Sequence, residues 1–134
     1  MATPSVRILV VDDYEPWRRV ISRTLEKQPE LKIIGEVTDG LAAVQKGEEL
    51  RPDLVLLDIG LPHLDGIEAA RRLRRLSPQS KIIFVSQWSS ADLLQEAVDV
   101  GAEGFVSKMD VGSKLLTAIN AILRGKDSNE TLPL

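Results

Sequence analysis

The chain has no cysteine. That absence excludes a disulfide framework and any thiolate metal site, and leaves a reducing compartment compatible. No apolar run approaches the length of a membrane span, and the opening residues, MATPSVR, lack the long apolar segment that a signal peptide needs. The expectation is a cytoplasmic protein that makes no membrane contact. A basic excess is missing too: the formal net charge is −3, which argues against a chain whose main task is gripping nucleic acid by its phosphates. What is present is 134 residues, enough for a single domain to bury a core without staples.

Short apolar, β-branched runs alternate with helical patterns along the chain. VRILVV is followed by EPWRRVISRTLEKQ, in which Trp17, Val20, Ile21, Thr24 and Leu25 share one face and Pro16 suits a first turn. The alternation continues through LKIIGEV, GLAAVQKGEEL, DLVLLD, DGIEAARRLRRL, KIIFVS, SADLLQEAVDV, GFVS and SKLLTAINAILRG. Continuously apolar strands separated by amphipathic helices predict a parallel sheet covered on both faces, a doubly wound α/β sandwich with right-handed crossovers. Gly125 reads as the stop after the last helix, and KDSNETLPL as a polar tail.

Open parallel sheets bind ligands at the carboxyl ends of their strands. Asp12 and Asp13 follow ILVV, Asp58 follows LVLL, Ser86 follows IIFV and Lys108 follows GFVS. Three acids, a hydroxyl and an ammonium therefore come from four strands to one edge. Taken singly, each has an ordinary reading: turn or cap acids, a loop hydroxyl, a surface lysine. Three acids on one edge without compensation would be costly, so a bound cation or Lys108 is the more economical explanation.

In order and spacing, from about Arg7 to Arg124, these residues resemble the receiver domain of bacterial two-component response regulators. The resemblance rests on the acidic pair, Asp58 followed by IGLPHLDG, Ser86 after the fourth strand and FVSK after the fifth. The wording DIGLPHLDGIEAARRLR and GAEGFVSK is most like receivers that precede a helix-turn-helix DNA-binding output domain. It implies a flavodoxin-like, five-stranded parallel sheet of order 2-1-3-4-5 with five helices, a receiver over residues 1–125, and a tail or the start of a linker over 126–134.

The implied function is a phosphorylation-controlled switch with no small-molecule substrate of its own. Asp58 would accept a phosphoryl group from a sensor histidine kinase. Mg2+ would neutralise the anionic cluster, bound directly by Asp13 and Asp58, through water by Asp12, and by the backbone carbonyl of Gly60. Lys108 would pair with Asp58 and then with the phosphoryl oxygens, and Ser86 would donate its hydroxyl to them. Ser86 and Phe105 would form the switch, with homodimerisation or release of a DNA-binding domain absent from this chain as the output. Two other classes fit less well. A phosphohydrolase using Asp58 would need a second acid where Gly60 stands, and a nucleotide-phosphate cradle would need glycines where DDYEPW stands.

Departures from the family pattern bear on rate and switching. The position after the strand-four hydroxyl is usually small, but here Gln87 and the bulky Trp88 follow Ser86 and would flank the path of water to a phosphorylated Asp58; alternatively, the Gln87 amide would position that water. Phe105 has no phenolic hydroxyl to fix either rotamer, and Met109 stands where many receivers have proline. His63 reads as an exposed loop residue. Arg71, Arg72, Arg74 and Arg75 read as a solvated helix face near the negative end of a helix dipole. Leu115, Leu116, Ile119, Ile122 and Leu123 form the core stripe of the last helix, with a flank open to a dimer contact.

Overall fold

A computed structural model of the chain describes residues 5–125, so the expected tail over 126–134 lies outside the described residues. The element order is β1 (Val6–Val11), α1 (Glu15–Leu25), β2 (Leu31–Val37), α2 (Gly40–Leu50), β3 (Leu54–Leu57), α3 (Gly66–Leu76), β4 (Lys81–Ser86), α4 (Ala91–Asp99), β5 (Gly104–Ser107) and α5 (Val111–Leu123). The strands pair in parallel in the order β2-β1-β3-β4-β5. This is the flavodoxin-like arrangement the resemblance implies.

Strand alternation sorts the core into two layers. Leu54 and Leu56 of β3 join Ile8, Val10, Ile21 and Leu25 under α1 and α5, where Leu115, Ile119 and Ile122 close the layer. Val55 and Leu57 face the opposite layer, with Ala43 from α2, Ile67, Ala70 and Leu73 from α3, and Ala97 from α4. Both faces of β3 are thus covered, which is why its four residues are all apolar and all buried.

Most helix starts are chemically specified. The side chains of Asp39, Asp65 and Ser90 accept hydrogen bonds from the backbone N–H groups of Ala42, Glu68 and Leu93, satisfying donors that a first helical turn leaves open. α1 has Pro16 in its first turn instead. α1 stops at Leu25, earlier than the EKQ extension of its pattern suggests. α5 begins at Val111 rather than Ser113, because a 3-10 turn over Lys108–Asp110 runs straight into it. Ser107 accepts from Met109 N–H at 3.3 Å and so holds that turn without the proline. Among the described residues no helix is long and apolar enough to cross a membrane.

Candidate functional site

Backbone pairing brings the acids together before any side chain acts. Asp12 N–H donates to Val37 O at 3.1 Å and Asp58 N–H to Val11 O at 3.0 Å, so both acids leave the sheet at the same level. A carboxylate oxygen of Asp12, one of Asp13 and one of Asp58 all lie within 4.8 Å of one another. Asp12 and Asp58 are buried, whereas Asp13 is exposed. The Lys108 ammonium, itself buried, reaches in from the far edge of the sheet to Asp12 Oδ2 at 2.8 Å and Asp58 Oδ2 at 3.2 Å. The pairing expected for Asp58 is present, and Asp12 is the nearer partner.

Local bonds fix the two buried carboxylates. Asp58 Oδ1 accepts from Ile59 N–H at 2.8 Å, and Asp12 Oδ1 accepts from Tyr14 N–H at 2.9 Å. Burial pushes the Asp58 carboxyl above its ordinary range and the negative charge of Asp12 adds to this; Lys108 and the Ile59 N–H pull it partly back. Asp12 Oδ2 is buried and close to the Lys108 ammonium but lacks an aligned hydrogen bond. Three carboxylates against one ammonium leave the cluster anionic, and its donors are all hard oxygens. That set suits Mg2+, which would be held by Asp12, Asp13 and Asp58.

The remaining expected residues fall around this centre. Ser86 is fully buried at the end of β4, and its hydroxyl oxygen accepts from Trp88 N–H at 3.0 Å. Gln87 is exposed. Trp88 is 58% exposed, and a side chain at position 60 would begin 4.0 Å from its Nε1, so the ring edge hangs beside the Asp58–Gly60 loop. Phe105 is already inward, 5% exposed, and tilted against Phe84 at 6.3 Å between ring centroids. An outward starting point for its rotation is therefore not the conformation described. His63 is exposed, at φ 66° in a tight turn closed by Leu64 N–H to Pro62 O.

Sequence reasoning missed three contributors. Trp17, grouped with the core face, lies under Lys108, with the ammonium 5.3 Å from its ring centroid. Arg18 donates to the carbonyl of Asp12 at 2.8 Å and to Glu36 at 3.1 Å, clamping the acid-bearing loop. Gly66 carries no side chain because a Cβ there would collide with the carbonyl of Asp58. A DG pair before a helix signals a cap; only the packed structure reveals the close approach. Two expectations are corrected: Leu123, read into the core stripe of α5, is exposed, and Arg74 is not on a solvated face but reaches Glu103 and the carbonyl of Gly101, tying α3 to the loop before β5.

Residues 8–120 match the response regulator receiver domain. The chain belongs to this family. It is 32% identical to the transcriptional regulatory protein LiaR of Bacillus subtilis over 94% of this chain and 60% of that protein. It is also 38% identical to a protein-glutamate methylesterase/protein-glutamine glutaminase of Koribacter versatilis, over 86% of this chain and 32% of that one. A solved LuxR-family two-component response regulator from an Aurantimonas species superposes with a TM-score of 0.86 at 32% identity, covering 92% of this receiver and 88% of that chain. The receiver is thus the part shared by a transcriptional regulator and an esterase, and it spans 60% and 32% of their lengths. The receiver domain is a signalling switch, and in both of those relatives further length lies outside it.

Proposed function

We propose that this receiver is a cytoplasmic, phosphorylation-controlled switch in which Asp58 takes a phosphoryl group from the phosphohistidine of a sensor kinase. The observation that carries this reading is a buried carboxylate at the end of β3, its Oδ2 facing an ammonium, within 4.8 Å of two further acids. In the step, an oxygen of Asp58 bonds to phosphorus as the P–N bond breaks. The electron pair stays with the imidazole, which takes up a proton. When bound at Asp12, Asp13, Asp58 and the carbonyl of Gly60, Mg2+ supplies neutralisation of the charge that gathers there. Lys108 follows the charge from the carboxylate onto the phosphoryl oxygens, and Ser86 turns its hydroxyl from the Trp88 N–H towards them.

The consequence is a shift between conformations that interact differently with the phosphoryl group. Movement of Ser86 changes the room beside Phe105, so phosphorylation favours the inward ring seen here over an outward one and alters the surface of α4 and β5. A dimer contact on the flank of α5, where Leu116 is half-buried and Leu123 exposed, reads that surface out.

Incubation with Mg2+ and acetyl phosphate tests the class. The expected result is stoichiometric labelling followed by slow hydrolysis, with no turnover of a generic phosphate monoester. Rapid multiple turnover of the monoester would instead favour a phosphohydrolase.

A further inference from the structure

Lys108 crosses from beyond β5 to the acids beyond β1 and β3, and among the described contacts its ammonium meets a third group there besides the carboxylates of Asp12 and Asp58: the indole of Trp17. Trp17 is the third residue of α1, half-buried, and follows Pro16, whose ring fixes the backbone of the first turn. Its N–H donates to Tyr14 O at 3.1 Å, and the next residue, Arg18, clamps the Asp12 carbonyl at 2.8 Å. The ring is therefore anchored to the same short segment that carries Asp12 and Asp13, so its distance from the acids is set by local structure.

We infer that Trp17 is a positioning residue for Lys108, its indole face holding the ammonium at the acidic cluster while the carboxylates and phosphoryl oxygens exchange partners. This rests on the function proposed above. Asp12 and Asp58 are the groups Lys108 now pairs with, and both are taken up when a cation and a phosphoryl group occupy the site. A divalent cation also repels the ammonium. The indole face attracts a cation through its quadrupole and uses none of the three ammonium N–H donors, so they stay available to phosphoryl oxygens. An aliphatic side chain of similar bulk would fill the space and supply no such attraction.

The chain has two tryptophans, Trp17 and Trp88, so Trp88→Phe leaves Trp17 alone and serves as the reference protein. Progressively fluorinated tryptophans incorporated into that background keep the shape of the ring and drain the charge from its face. The rate of Asp58 labelling by acetyl phosphate with Mg2+ is expected to fall steadily along the series, by about threefold to tenfold at its end. Introducing Lys108→Met should make the slower labelling indifferent to fluorination and should move the 19F resonance of the ring in the resting protein. Melting temperatures measured in parallel identify the folded members. If the heavily fluorinated proteins fail to fold, Trp17→Phe, which keeps a ring face, should label faster than Trp17→Leu. A labelling rate flat across the folded series, or a fluorine dependence that survives Lys108→Met, overturns the inference. Failure of the Trp88→Phe reference to label at Asp58 overturns instead the function on which it rests.

Discussion

At Asp58 a carboxylate is buried beside a second carboxylate, and Lys108 offsets only part of the cost. Its raised pKa means that the folded chain holds a proton there more tightly than the unfolded chain. Between the ordinary carboxylate value and the raised one, the folded state carries more protons, so stability falls as pH rises through that window. Asp58→Asn removes the charge and leaves Lys108 paired with Asp12. Its melting temperature in metal-free buffer is expected to exceed the wild type's at neutral pH and to converge on it as pH falls through the window. A lower melting temperature for Asp58→Asn at neutral pH would contradict this. The acids, Ser86 and Lys108 were legible in the sequence because each ends a strand and strand ends share an edge. Trp17 was not, since its helical spacing assigns it to the core face and says nothing of a lysine from beyond β5 arriving above it.

The β4–α4 loop and the C-terminal half of α3 show the same contrast between elements. The strands β1, β2, β4 and β5 have the bounds of the runs read from the sequence; β1, β4 and β5 are mostly buried, whereas β2, at the edge of the sheet, buries only Leu31. Arg74 was hidden within a basic run, and the fold separates it from its neighbours. Arg71 and Arg72 pair with Glu68 on their own helix, while Arg74 bridges to Glu103, which also accepts from Ile82 N–H at 2.8 Å. Arg74→Ala should therefore cost about 1–3 kcal/mol in urea unfolding, whereas Arg75→Ala, on an exposed position, should cost about 0.5 kcal/mol or less. In the β4–α4 loop the Trp88 ring edge lies beside Gly60, where on the function proposed above it would obstruct water approaching phosphorus in line with the acyl bond. Trp88→Ala should shorten the phosphorylated lifetime after donor removal, and Gln87→Ala should chiefly speed labelling. Slower decay in Gln87→Ala would show its amide positioning the water, and equal decay in all three proteins would make Trp88 a partner-contact residue.

For the whole molecule, alternation of strand and helix made the doubly wound class legible, whereas the strand order came from the family resemblance, since periodicity does not say which strands are neighbours. Ligand binding to the folded chain alone couples the acidic edge to global stability. Mg2+ at about a hundredfold its dissociation constant should stabilise the wild type by about 2.7 kcal/mol in denaturant melts, and Asp13→Ala, which removes the direct ligand proposed for it, should lose most of that gain. An undiminished gain in Asp13→Ala would place the cation elsewhere. The most direct measurement of all is the location of the phosphoryl group: label the protein with acetyl phosphate and Mg2+, trap the acyl phosphate by borohydride reduction, and identify the modified residue by peptide fragmentation. The expected result is one modified residue per chain, Asp58, with no modification in Asp58→Asn or without Mg2+. Modification of the wild type at any other residue, or labelling that survives Asp58→Asn unchanged, would contradict the assignment of Asp58 as the phosphoryl acceptor.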